Sequence, residues 1–141
     1  MKKIVSIIAL VLVLVVASFM VGCQKDPLVI KESDTYIVIT ASDSQMEIKE
    51  DTTLVEYMNS LKNSGLLDFE MKKGMVTAVN GIENPADWSS CWMLYTSDTE
   101  NSNDGWGKVE YNGVVYGSAV VGAELLPVKD GCIYIWVYQA F

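Results

Sequence analysis

The side chains in this sequence best equipped to do chemistry are aromatic. Trp88, Trp92, Tyr95, Trp106 and Tyr116 fall within thirty positions of one another, and the chain has no histidine at all. Flat aromatic faces grip large planar ligands, which a few polar groups and backbone amides then orient. Acid–base catalysis would fall to carboxylates, lysines or tyrosines. The acidic residues cluster in turns and at a helix start, and no serine or cysteine has a plausible base nearby in sequence. The expectation is therefore a binding protein, without a cofactor of its own, and not an enzyme. For Trp92 and Leu94 a plain core role competes with a ligand role. Trp88 and Trp106 flank loops and are the stronger candidates for contact with something outside the chain.

Metal chemistry finds little support. The polar run from Asp98 to Gly107 is rich in oxygen-bearing side chains, which invites a calcium reading. An EF-hand needs glycine sixth and glutamate twelfth from its first aspartate, and those places hold Asn103 and Val109. A solvated loop is the expectation there. Cys91 and Cys132 lie in apolar, strand-like segments, with no CxxC pairing and no histidine to make a zinc site. A disulfide between them and two buried free thiols are both open.

The N-terminus sets the address. Met1-Lys2-Lys3 is followed by an apolar run from Ile4 to Gly22, broken only by Ser6 and Ser18, which is the pattern of an export signal. Cys23 directly after Val21-Gly22 resembles a bacterial lipobox, with Met20 and Val21 departing from its usual leucine and small residue. The expectation is a signal peptide over 1–22 and Cys23 as the lipid acceptor. An uncleaved anchor helix is the alternative. Either places the remainder on the extracytoplasmic face of the membrane, because Lys2 and Lys3 stay inside. Two acyl chains on Cys23 would anchor it stably. Removing residues 1–22 takes away two lysines and makes the chain two charges more acidic than its formal −8. Such a chain, without arginine, is a poor partner for nucleic acid.

Those side chains need elements to hold them. Residues 23–34 are polar, contain Pro27 and read as a tether. Tyr36-Ile37-Val38-Ile39-Thr40 is β-branched and predicts a first strand; Gln45-Met46-Glu47-Ile48-Lys49 alternates and predicts its hairpin partner. Thr53 and Glu56 have capping-box spacing, and Leu54, Met58 and Leu61 form an apolar stripe with Val55 beside it. Ser64-Gly65 ends that helix. Strand-like segments follow on both sides of Gly74, then the Asn80-Gly81 turn and the Asn84-Pro85 break. Trp88 to Thr96 is apolar on both faces, as a covered central strand would be. Asn112-Gly113 predicts a type I′ hairpin that pairs Tyr111 with Val114 and Val109 with Tyr116. The closing strand puts Tyr134, Trp136 and Tyr138 on one face and Ile133, Ile135 and Val137 on the other.

This order predicts an α+β domain over 35–141: a β-grasp-like mixed sheet with one main amphipathic helix packed on it and the last strand central. The chain resembles the transcobalamin C-terminal-like domain, found in bacterial lipoproteins and in animal cobalamin carriers. The resemblance rests on the capped helix from Thr53, on Val76-Thr77-Ala78-Val79-Asn80-Gly81-Ile82, on Cys91-Trp92-Met93-Leu94-Tyr95, and on Pro127-Val128-Lys129-Asp130-Gly131 before the aromatic last strand. It implies a corrinoid such as cobalamin as ligand and an importer as partner. The helical domain that completes the animal carriers has no counterpart here. A module binding another envelope protein is the second functional expectation.

Overall fold

The computed structural model describes residues 26–141. The expected signal peptide at 1–22 and the lipid-acceptor thiol of Cys23 lie outside the described residues. No helix among the described residues is long and apolar enough to cross a membrane.

The β-branched segments become strands, and they sort into two sheets. Strands β1 (Val29–Ser33), β2 (Tyr36–Thr40), β6 (Ser90–Thr96), β7 (Ser102–Tyr111), β8 (Val114–Ala119) and β9 (Ile133–Ala140) form a six-stranded sheet in the order β1-β2-β9-β6-β8-β7. Strands β3 (Phe69–Lys72), β4 (Met75–Val79) and β5 (Ile82–Glu83) form a smaller one. The fold is α+β as expected. Every strand pairing is antiparallel, which corrects the expected mixed sheet. The last strand is central, with β2 on one side and β6 on the other.

Helix α1 (Leu54–Asn63) starts with the capping box: Glu56 N–H donates to Thr53 Oγ1 at 3.4 Å, and Thr53 N–H to Glu56 Oε2 at 2.7 Å. Gly65, at φ 73°, ends it. Its buried face is Leu54, Tyr57, Met58 and Leu61, packed against Ile37 and Ile39 of β2 and Tyr134 and Trp136 of β9. Each fully buried aliphatic side chain there stabilises by about 1.5–3 kcal/mol. Tyr57 was not in the apolar stripe read from the sequence. Its hydroxyl donates to Thr40 O at 3.2 Å and accepts from Ser42 N–H at 3.0 Å, tying the helix to the end of β2.

Three expectations are corrected. Gln45 to Lys49 is not a strand. Asp43 Oδ1 takes the Ile48 N–H at 2.9 Å, so a side chain captures the donor that a ladder would need. Met46 and Ile48 still reach the core. The hairpin partner of β2 is instead β1, drawn from the end of the expected tether, with Val29 opposite Ile39. The polar stretch after Asp98 is not a plain loop: a 3-10 turn (Thr99–Asn101) leads into β7. The Asn112-Gly113 hairpin forms in the expected register, Tyr111 opposite Val114 and Val109 opposite Tyr116.

Cys91 and Cys132 are free thiols, the second of the two alternatives left open by the sequence, and both are half-buried. Cys91 sits opposite Gln139, near the end of β9, whereas Cys132 precedes its first residue. Seven residues of strand place them about 20 Å apart, far beyond disulfide reach. A chain of residues 24–141, unfolded without reductant, should therefore titrate two thiols per molecule. Zero would overturn this placement.

Candidate functional site

β6 decides which aromatic residues meet. Its side chains alternate, so Trp92 and Leu94 join the helix-side core, while Met93 and Tyr95 pack on the other face. Along the Cys91–Leu94 stretch of β6, with no residue of α1 in its lining, lies an open groove of about 420 Å³. Trp92, Leu94 and Trp136 line it from the sheet, the β3–β4 turn and residues 120–123 wall it, and Trp88, Trp106 and Phe141 are exposed around it.

Trp92 is 5% exposed and rigidly placed. Its Nε1–H donates to Ile82 O at 2.8 Å, and its backbone N–H to Asn84 Oδ1 at 3.0 Å. The ring packs tilted on Tyr138, with centroids 5.4 Å apart. Tyr138 in turn donates to Glu83 O at 3.3 Å. These bonds hang the small sheet on the large one and so set one wall of the groove. In that wall Lys73 and Gly74 turn the chain at φ 52° and 79°. At φ 79° Gly74 occupies the left-handed region that favours glycine, and a Cβ there would meet only the flexible end of the Glu124 side chain.

Trp106 is 72% exposed, and β7 is distorted around it. The ladder to β8 slips between Asn103 and Lys108, and Gly105 and Gly107 flank the indole. Its backbone N–H donates to Ser118 Oγ at 3.2 Å, and that hydroxyl donates to Asn103 O at 2.9 Å. A Cβ on Gly117 would come within 2.8 Å of the same carbonyl, so glycine at 117 is what admits the bulge. An exposed tryptophan held by this many dedicated bonds has a reason to be exposed.

Trp88 is 50% exposed and has φ 57°, the left-handed region that bulky residues avoid. Its backbone is pinned on both sides. Trp88 N–H donates to Pro85 O at 3.1 Å, Ser89 N–H to Asp87 Oδ1 at 3.0 Å, and Phe141 N–H to Ser89 O at 3.0 Å. Hydrogen bonds from the Ser89 backbone and hydroxyl hold the Asp87 carboxyl below its ordinary range.

Of the five residues expected at the site, Trp88, Trp92 and Trp106 come together. Tyr95 and Tyr116 do not: they pack on the opposite face, with Val38 and Ile135. That face is closed by the β7–β8 hairpin, whose Glu110 carbonyl accepts from the Tyr36 hydroxyl at 2.9 Å. Burial pushes the Tyr95 and Tyr36 phenols up. The sequence reading missed Trp136 and Phe141, although the alternation of the last strand already puts Trp136 on the face of Tyr134 and Tyr138.

Among the described residues no charged side chain lines the groove. Cys91 contributes to the lining, and burial pushes its thiol up, which keeps it neutral. Among the described residues no group of three or more metal-ligating side chains occurs. No protein family, curated protein or solved structure matches this chain.

Proposed function

We propose that the chain is a cell-surface lipoprotein whose domain binds a small molecule with a flat apolar face. In this reading it is held at the extracytoplasmic side by lipid on Cys23, performs no catalysis itself and captures its ligand for uptake by an importer. The observation that carries the reading is the apolar groove with Trp88 and Trp106 held at its mouth by dedicated backbone bonds and glycines. Its volume of about 420 Å³ lies within the range of small-ligand sites. A corrinoid, the ligand class implied by the resemblance, would be gripped along one edge and left partly in water. A β-grasp-like relationship belongs to the same reading, supported by one helix packed on a sheet with its last strand central.

A second reading has its own observation. β7 is an edge strand with exposed residues along most of its length, and Val114 and Val115 are exposed beside its tip. An envelope protein adding a strand there would make this an interaction module.

The core clusters and strand pairings of the described residues are all carried by a chain begun at Gln24. Calorimetric titration of that chain with cobalamin and with cobinamide tests the first reading; calorimetry is preferred because corrinoids absorb where tryptophan emits. Saturable 1:1 binding is expected. Trp106→Ala should weaken it by about tenfold, with Tm changed by no more than about 2 °C, because an exposed indole contributes to an interface far more than to a core. No saturation, together with one envelope partner recovered in a pull-down, would hand the case to the second reading.

A further inference from the structure

Among the buried side-chain nitrogens and oxygens of the described residues, one is left without a partner. Trp136 is 4% exposed and lines the groove, and its Nε1–H has no hydrogen-bond partner. The lining's amide and hydroxyl side chains are committed, and the Trp88 and Trp106 indoles are exposed. Asn84 accepts from Trp92 N–H at 3.0 Å, and Ser118 bridges Trp106 N–H and Asn103 O. The neighbouring indole, Trp92, has its own acceptor in Ile82 O. A buried donor without an acceptor is destabilising, and buried indole N–H groups usually find a partner. Phenylalanine would fill less of the site but would bring no unpaired donor. An indole here makes sense if the acceptor arrives with the occupant.

We propose that the ligand end entering this groove is uncharged and carries a hydrogen-bond acceptor, a carbonyl oxygen or its equivalent, that pairs with Trp136 Nε1–H. The inference rests on the reading of the groove as a small-molecule site and narrows its ligand class. Neutrality follows from the lining: nothing there could pair with a charge, and an unpaired ion in an apolar site is strongly disfavoured. The acceptor follows from the orphan donor. In the empty groove the nitrogen is covered. The acceptor therefore reaches it as lining side chains move aside, and the bond forms only when the site is filled.

Two neutral probes isolate the acceptor. 2-Acetylnaphthalene and 2-isopropenylnaphthalene share a flat body and differ in a carbonyl oxygen replaced by CH₂. They are titrated into ¹⁵N-labelled 24–141 while the four indole N–H resonances, assigned by single Trp→Phe changes, are followed. The ketone should bind about fivefold tighter, the net worth of a neutral hydrogen bond. Its binding should shift the Trp136 indole proton downfield, and Trp136→Phe should abolish the preference, so that the two probes bind equally at whatever affinity the altered groove allows. If Trp136→Phe does not fold, the resonance in the unaltered chain decides alone. Equal affinities with an unmoved Trp136 resonance would overturn the acceptor inference and leave the groove reading in place. Binding of neither probe would overturn both.

Discussion

Asp98→Ala should lower the unfolding free energy by about 3 kcal/mol at neutral pH, the scale for removing a buried, multiply bonded carboxylate. The Asp98 side chain is 3% exposed. Its Oδ1 accepts from Lys129 Nζ at 2.9 Å and from Glu100 N–H at 3.1 Å, and its Oδ2 from Asn101 Nδ2 at 2.7 Å. It caps the 3-10 turn that starts the distorted β7, and it holds the loop before β9. That loop also meets the start of α1, through Leu54 N–H to Leu126 O at 2.8 Å and Val128 N–H to Thr52 O at 2.9 Å. One carboxylate thus joins both ends of the sheet's connections to the helix. Burial works against its charge, but the Lys129 ammonium, the Asn101 amide and the Glu100 N–H outweigh it and hold the carboxyl below the ordinary range.

The sign of the pH dependence follows. A carboxyl whose folded pKa is lowered contributes stability that is full above its unfolded value, near 3.9, and is lost as pH falls through the folded value. Denaturant melts at pH 7 and at about pH 3 should show the difference between wild type and Asp98→Ala shrinking in acid. A deficit under about 1 kcal/mol at neutral pH, or one that does not shrink, would remove Asp98 as a clamp. Asp34, Asp68 and Asp87 are also held low, but on the surface, where solvent screens their share.

What was legible in the sequence was local and periodic. The capping box, the glycine stop and the Asn-Gly hairpin register all depend on residues close in the chain, and all three form as read. The alternation of the last strand was equally plain, because period two has one meaning in a strand. What failed depended on competition with side chains or on distant partners. The alternating run at 45–49 would serve as a strand if Asp43 did not take its donor. Val29-Ile30 gave too short an apolar pattern to announce β1, which exists because β2 offers it an edge. The candidate site was half legible. Aromatic type and loop proximity found Trp88, Trp92 and Trp106. They also drew in Tyr95, which is buried in the second core cluster with Val38 and Ile135. The strain at Trp88 and the unpartnered nitrogen of Trp136 have no sequence signature, since each is a property of backbone angle or of surroundings.

Trp88 carries the second large effect, and its variants separate function from fold. In Trp88→Ala and Trp88→Gly the ring is lost equally, so the affinity of whatever ligand saturates the groove should fall by about thirtyfold in both, as for an aromatic hot spot of an interface. Stability should separate them in an unusual direction. Alanine normally surpasses glycine by about 0.5–1 kcal/mol because glycine loses more backbone freedom on folding. At φ 57° any Cβ meets the steric penalty of the left-handed region, about 1–2 kcal/mol, which glycine escapes. Glycine at 88 should therefore match or exceed alanine at 88 in unfolding free energy, although both lose the apolar contact of the half-buried ring. The other non-glycine residues with positive φ among the described residues are Lys73, Asn80 and Asn112, all in tight turns and two of them the asparagine that tolerates this region. Trp88 is the exception in type, and a strained backbone that presents a large aromatic at a groove mouth is the pattern of a position kept for binding. Chemical denaturation of the two variants beside a ligand titration checks both halves. Alanine more stable than glycine by the usual margin would mean that position 88 is not left-handed in solution. Full affinity in both variants would mean that the indole is not a wall of the site, and the groove would have to close around Trp106 and Phe141 instead.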